Sequence, residues 1–248
     1  MSFSIFLHHI RAILARAWME GMSSDEFVNY LRKHDIRIGN NVHFRNPART
    51  TIDFTRPCLI EFGDNIDVNE YFAILSHDFS TFVFRGYYND FVNSSGKVKI
   101  GNNVVFGRNV TVLKGVNIGD NCIIGMGSIV SKSIPPNSVA VGAPAKVVCN
   151  LEEYYNKRKS LQVKEAIQYA TEYFKFTGND IPIEELKEEW CLFLCKEEYD
   201  SNKKVRNNVD FRLKNYVPIN DFLSQKKIFD GYEDFINAVH SAIEEDII

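Results

Sequence analysis

The chain has 248 residues, 45% of them hydrophobic, with 29 basic against 32 acidic side chains and a formal net charge of −3. That composition supplies a packed core and excludes both a global nucleic-acid footprint and a polybasic membrane anchor. Residues 1–150 hold 15 basic and 12 acidic side chains and residues 151–248 hold 14 and 20, so a boundary between two parts of different character is expected near residue 150.

The five cysteines, Cys58, Cys122, Cys149, Cys191 and Cys195, are odd in number and form no CxxC. Neither a disulfide framework nor a zinc ribbon is suggested, and a reducing cytoplasm is the simplest compartment. The start lacks a basic n-region, and no uncharged apolar run reaches the ~18 residues of a membrane span. Neither a signal peptide nor a transmembrane helix is expected.

Phe3, Leu7, Ile10, Leu14 and Trp18 fall at helical spacing, which predicts an amphipathic helix over 3–20. Ser23-Ser24-Asp25-Glu26 then supplies a capping box for a second helix that runs to about His34.

From Ile36 the period becomes six. The cleaner run reads IGNNVV, FGRNVT, VLKGVN, IGDNCI, IGMGSI and VSKSIP from residue 100 to 135, with an aliphatic residue or Phe first and a small or aliphatic residue fifth. An earlier run places Ile38, Phe44, Phe62, Val68 and Ile74 first and Val42, Ala48, Phe54, Ile60, Ile66 and Phe72 fifth, although Thr50 and Arg56 break the first-position rule. A turn every sixth residue fits neither an α-helix nor an ordinary sandwich. It fits a chain wound around a triangular prism, three sixes to a coil, with coils stacked at ~4.8 Å. About five such coils make a prism ~24 Å long. Gly, Asn and Asp at the corners suit left-handed backbone.

The passage from Ile100 to Val148, together with FGDNIDVNEYFAILSHD at 62–78, resembles the hexapeptide-repeat acyltransferases, and in particular bacterial sugar and polysaccharide O-acetyltransferases. The resemblance covers residues 36–149. It implies a mainly β chain built on a left-handed parallel β-helix, here with N-terminal helices over 1–35 and a C-terminal α-helical extension over 150–248.

Between Ile74 and Ile100 the phase slips, so residues 79–96 leave the prism as a loop holding Phe79, Phe82, Phe84, Tyr87, Tyr88 and Phe91. Two roles are open to it: packing on a neighbouring subunit, or forming a wall of an acceptor site whose rings stack on sugar faces. After Asn150, helices are expected at 151–175, at 182–199 and at 220–245 with a break near Gly231. Ile183, Leu186, Trp190 and Phe193 form one stripe, and Cys191 and Cys195, with no paired His, are read as core residues rather than metal ligands.

Acyl transfer from a thioester to a hydroxyl needs a base, a donor for the oxyanion and alignment of two substrates. Of the six histidines, only His77 lies where a coil ends and the long loop begins. The resemblance places the catalytic histidine there, acting directly in a ternary complex with no cysteine nucleophile. Asp78 is either an orienting partner and acceptor contact or a capping residue, and Asn69 either an acceptor contact or a turn residue.

By position, the resemblance also implies contacts to acetyl-CoA, as co-substrate, from Gly107, Arg108, Met126, Gly127, Ser131, Lys132 and Lys146. Val105 and Cys149 depart from residues frequent in the family, which weakens the adenine and 3′-phosphate contacts expected there. The resemblance further implies a homotrimer with sites between adjacent prisms. A zinc hydratase on the same prism needs three histidines from facing coils, and the repeats offer only His43 and His77. No metal is expected. A small-molecule or amino-sugar acceptor, and a non-catalytic assembly protein, remain the alternatives.

Overall fold

The computed structural model describes residue 19 and residues 21–213 and 217–244. Apart from residue 19, the helix expected over 3–20 lies outside them. The chain divides into two compact units, residues 1–156 and 157–248.

In the first unit, helix α1 (Ser24–Lys33) starts on the expected capping box. The Glu26 amide donates to Ser23 Oγ at 3.3 Å, and the Ser23 amide donates to the Glu26 carboxylate at 2.8 Å. Its buried face, Phe27, Val28 and Leu31, joins the core of the coils that follow, with the Phe27 ring 5.1 Å from Phe44 in edge contact.

Twelve short strands then make four coils. The first holds β1 (Arg37–Ile38), β2 (Val42–Phe44) and β3 (Thr51–Ile52), and the second holds β4 (Ile60–Phe62), β5 (Ile66–Val68) and β6 (Ala73–Ile74). The third holds β7 (Val98–Ile100), β8 (Val104–Phe106) and β9 (Thr111–Val112), and the fourth β10 (Asn117–Ile118), β11 (Cys122–Ile124) and β12 (Ile129–Val130). Each strand pairs in parallel with its counterpart one coil away, giving three sheets: β1-β4-β7-β10, β3-β6-β9-β12, and one that starts with β2-β5-β8-β11. This last sheet is extended by β13 (Ser138–Val141) and closed by the antiparallel β14 (Lys146–Asn150). A fifth turn is therefore only partly formed, by β13 and the Ile118–Ile134 bridge. Three parallel faces built on hexapeptides fit the left-handed β-helix that the resemblance implies.

The period of six follows from what points inward. Ile100, Phe106, Val112, Ile118, Ile124 and Val130, the first-position residues, are all buried, as are the fifth-position Val104, Val110, Val116, Cys122, Ser128 and Ile134. At one corner the left-handed Asn41, Asn65, Asn103, Asn121 and Asn137 stack, with side-chain amide bonds of 2.9 Å joining Asn41 to Asn65, Asn103 to Asn121 and Asn121 to Asn137.

The first coil corrects the sequence reading. Its first two strands pair with residues 24 positions on, as in Ile38 with Phe62, and β3 with residues 22 on, as in Ile52 with Ile74, whereas Ile100 pairs with Ile118 only 18 on. Two 3-10 turns, Pro47–Arg49 and Pro57–Leu59, interrupt it. Phe54, expected inside, is exposed against Tyr30 and His34, while Pro47 and Ile52 are buried in its neighbourhood.

The excursion after β6 contains a helix, α2 (Thr81–Tyr87). Its base is fastened by the Gly96 amide on the Ser76 carbonyl at 2.9 Å and an antiparallel bridge from His77 to Ser95. Phe79, Phe82, Tyr87, Tyr88 and Phe91 are all exposed.

The second unit and the helix leading into it are α-helical, so the described residues are not mainly β: 41% of them are helical, 3-10 turns included. Helix α3 (Leu151–Thr177) precedes α4 (Lys196–Ser201), α5 (Lys203–Leu213), α6 (Ile219–Ser224) and α7 (Tyr232–Glu244), with Gly231 at φ +130° before the last. The helix expected over 182–199 is absent as a continuous element. Only a 3-10 turn, Glu189–Leu192, and α4 form there. In a helix Glu184 would sit one turn from Glu188 and Glu185 one turn from Glu189, and like charges so spaced oppose it. Leu186, Trp190 and Phe193 are buried nonetheless, whereas Cys191 is exposed and Cys195 half-buried, so neither is a core residue.

Coil stacking also fixes Gly107: a Cβ built there lies 2.5 Å from the Met126 backbone nitrogen, while one built on Gly86 meets nothing within 4 Å. Gly107→Ala is expected to destabilise the protein by about 1–3 kcal/mol and Gly86→Ala to leave it unchanged or slightly stabilised, as read by urea denaturation.

Candidate active site

His77 stands just past β6, where the chain leaves the sheet for the excursion, and one coil below it Asp53 stands just past β3. The Asp53 side chain is 4% exposed and that of His77 25%. One carboxylate oxygen, Oδ2, receives four contacts: the Ser76 amide at 2.9 Å, the Ser76 hydroxyl at 2.7 Å, the His77 amide at 3.1 Å and the His77 ring Nδ1 at 2.5 Å. The other oxygen accepts the Thr55 amide at 2.9 Å.

Burial raises the pKa of Asp53, but the bonds from His77, Ser76 and Thr55 outweigh it and hold the carboxyl well below its usual range. An ionised carboxylate accepts only, so Nδ1 is the nitrogen that donates, and in the neutral ring Nε2 is the one that keeps a lone pair. This is the arrangement of an oriented base.

Asp78 does not orient the ring. Its carboxylate accepts the Ser80 amide at 3.0 Å and hydroxyl at 2.6 Å, the Ser94 hydroxyl at 3.0 Å, and pairs with Lys114 at 2.9 Å. These bonds, those from Ser80 first, hold its pKa well below the usual range. Asp78 thus ties both ends of the excursion to the third coil.

Register sorts the other expected site residues into two columns. Ile74, Val112 and Val130 are paired in neighbouring coils, so Ser131 and Lys132 stand in line with Leu75 and Ser76, two coil spacings or ~10 Å along the prism. Val68, Phe106 and Ile124 are likewise paired, which lines up Asn69 with Gly107, and Arg108 with Met126, at the opposite corner of the β3-β6-β9-β12 face. Asn69 bonds locally, its side-chain oxygen accepting the Glu70 amide at 2.8 Å. Arg108 pairs with Glu70 at 2.8 Å and lies over the Tyr71 ring at 5.1 Å. Met126 is exposed, and Gly127 takes φ +74° with its amide on the Arg108 carbonyl.

Lys132 and Lys146 are exposed and have no ion pair or side-chain hydrogen bond among the described residues. His43 sits on another face, on β2, 3.4 Å from Asp67.

Asp53 escaped the sequence reading because a strict period of six points Phe54 inward at this place. The available signal was the pair Pro47 and Pro57, whose turns break the period of six; the register on this face is 22, so Asp53 stands beside Leu75 and its carboxylate reaches His77 two residues on.

A family model described as the hexapeptide repeat of succinyl-transferase matches residues 97–132. Protein CapG of Staphylococcus aureus is 32% identical over 127 residues, 51% of this chain and 73% of the relative. Galactoside O-acetyltransferase of Escherichia coli (strain K12) is 35% identical over 129 residues, 50% and 60% of the two chains. A Staphylococcus aureus (strain MRSA252) protein named as an acetyltransferase is 48% identical over 64 residues, 26% of this chain and 32% of the relative, so that match spans about a third of the relative's length.

The Asp53 network has a pH signature. Its folded pKa lies below the unfolded value, so its stabilisation is present above the unfolded pKa, about 4, and is lost as pH falls through the folded one. Asp53→Asn is expected to lose roughly 1–3 kcal/mol at pH 7, and the gap to the wild type should narrow as the pH is lowered below about 4 in urea denaturation. A gap that is constant with pH contradicts an ionised Asp53.

Proposed function

Because the chain belongs to the hexapeptide-repeat acyltransferase family, we propose that it is an O-acetyltransferase that moves the acetyl group of acetyl-CoA to a sugar hydroxyl. The observation that carries this reading is the Asp53–His77 pair, a base held in one tautomer at the root of an aromatic loop. The sugar acceptor is supported by the galactoside O-acetyltransferase among the relatives. A surface polysaccharide is the larger acceptor we assign.

His77 Nε2 takes the hydroxyl proton as the hydroxyl oxygen bonds to the acetyl carbonyl carbon. A backbone amide stabilises the oxyanion of the tetrahedral intermediate. The carbon–sulfur bond then breaks, and the thiolate leaves with the proton that His77 returns. Asp53 keeps the ring aligned and stabilises its charged form during transfer.

Lys132 and Lys146 are assigned to the coenzyme phosphates, as point charges rather than bidentate forks. Gly107, Arg108, Met126, Gly127 and Ser131 are assigned along the pantetheine arm. Asn69 is assigned to the acceptor. One prism separates the column of His77 and Lys132 from the column of Asn69 and Arg108 by a full face, and a homotrimer would bring opposite columns of adjacent prisms together. Five unpaired cysteines suit the reducing cytoplasm in which we place the reaction.

A thioester-cleavage assay with acetyl-CoA and a panel of mono- and oligosaccharides tests the reading. His77→Ala should lower turnover by ~10²–10⁴ with the fold intact by circular dichroism, and Asp53→Asn should lower it by less. Unchanged turnover in His77→Ala would remove the proposed role.

A further inference from the structure

The segment that breaks the hexapeptide period does more than supply Asp53. Residues 55–59, with the end of α1 and the start of β1, line a wide, open cavity of about 760 Å³ on the surface. Three arginines line it, Arg32, Arg37 and Arg56, against a single carboxylate, Asp35.

Two of the guanidiniums are engaged. Arg32 donates to the carbonyls of Ile38 and Gly39. Arg37 donates to the Cys58 carbonyl at 2.9 Å and lies 3.4 Å from Glu61, a carboxylate that also pairs with Lys97. Arg56 is different: the residue is half-buried, and its side chain has no ion pair, hydrogen bond or ring contact among the described residues. A guanidinium with no acceptor among the described residues can bind an oxyanion through a planar two-pronged fork.

The cavity adjoins the catalytic pair. Thr55, in its wall, donates its amide to Asp53 at 2.9 Å, and Arg56 is three positions, at most ~11 Å of extended chain, from Asp53. The inserted segment thus faces two ways, toward the base through Asp53 and into the cavity through Arg56.

We propose that this cavity binds the anionic group of an acidic acceptor sugar, a carboxylate or a phosphate ester, with Arg56 as the residue that selects acidic over neutral acceptors. The proposal rests on the sugar-acceptor reading above and adds the charge class of the substrate. It makes Arg56 a specificity residue and gives it no part in the chemical step.

The test compares glucose, glucuronate and glucose 6-phosphate as acceptors, with wild type beside Arg56→Gln and Arg56→Lys. The expected result is an Arg56→Gln variant whose KM for one or both anions rises about 10- to 100-fold, as loss of a charge-assisted bond dictates, while KM for glucose and for acetyl-CoA is unchanged. Arg56→Lys should recover part of the preference. Equal preference in wild type and Arg56→Gln overturns the proposal, and the anion with the larger Arg56-dependent effect identifies the group recognised.

If none of the sugars is acetylated, the functional reading fails, and binding alone decides the cavity. Cys58 lines it and is exposed, so its alkylation by iodoacetamide, followed by mass spectrometry, reports occupancy. Slowing by either anion but not by glucose, in wild type but not in Arg56→Gln, supports the proposal. Alkylation at one rate under all conditions overturns it.

Discussion

One carboxylate oxygen joins two coils of the prism at the place where the chemistry is proposed. Asp53 Oδ2, on the first coil, gathers the amides of Ser76 and His77, the Ser76 hydroxyl and the His77 ring, all on the second. A buried anion so surrounded is satisfied, because two backbone amides, a hydroxyl and an imidazole N–H all reach one oxygen. The excursion of residues 79–96 departs from this knot, and Asp78 with Lys114 fastens it to the third coil. Remove the carboxylate, and the ring loses the acceptor that sets its tautomer and the inserted segment its tether at Thr55.

The β-helix makes such a knot inexpensive. Each coil repeats the backbone of the one below at ~4.8 Å, so a residue at a corner is a fixed short distance from its counterpart in the next coil whatever the sequence separation. Asp53 stands beside Leu75 and its carboxylate reaches His77, while Lys132 falls in line with Ser76, 56 residues earlier in the chain. Chemistry distributed along the chain is collected into columns, and the insertions that break the period decide what stands at the column's foot.

The regular part of the prism was legible because side-chain burial and sequence share one period. From Ile100 to Ile134 every inward position in the sixes is buried, and the capping box at Ser23 set α1 to within a residue. The first coil was not legible, since two 3-10 turns add six residues without altering composition, and a fixed phase then assigns the exposed Phe54 to the core. His77 was singled out by its position before the loop and by the resemblance. Its partner was sought in the adjacent Asp78, because sequence adjacency is visible and coil adjacency is not. In the second unit the apolar stripe of Leu186, Trp190 and Phe193 marked burial correctly, but burial does not require a helix, and the glutamates between those residues disfavour one.

The most direct measurement of the central claim is the tautomer of the His77 ring, read from its ¹⁵N chemical shifts at a pH where the imidazole is neutral. An ionised Asp53 bonded to Nδ1 predicts a proton on Nδ1 and a bare Nε2, with that preference weakened in Asp53→Asn. A wild-type ring protonated mainly on Nε2 would leave no lone pair facing the acceptor and would contradict the account.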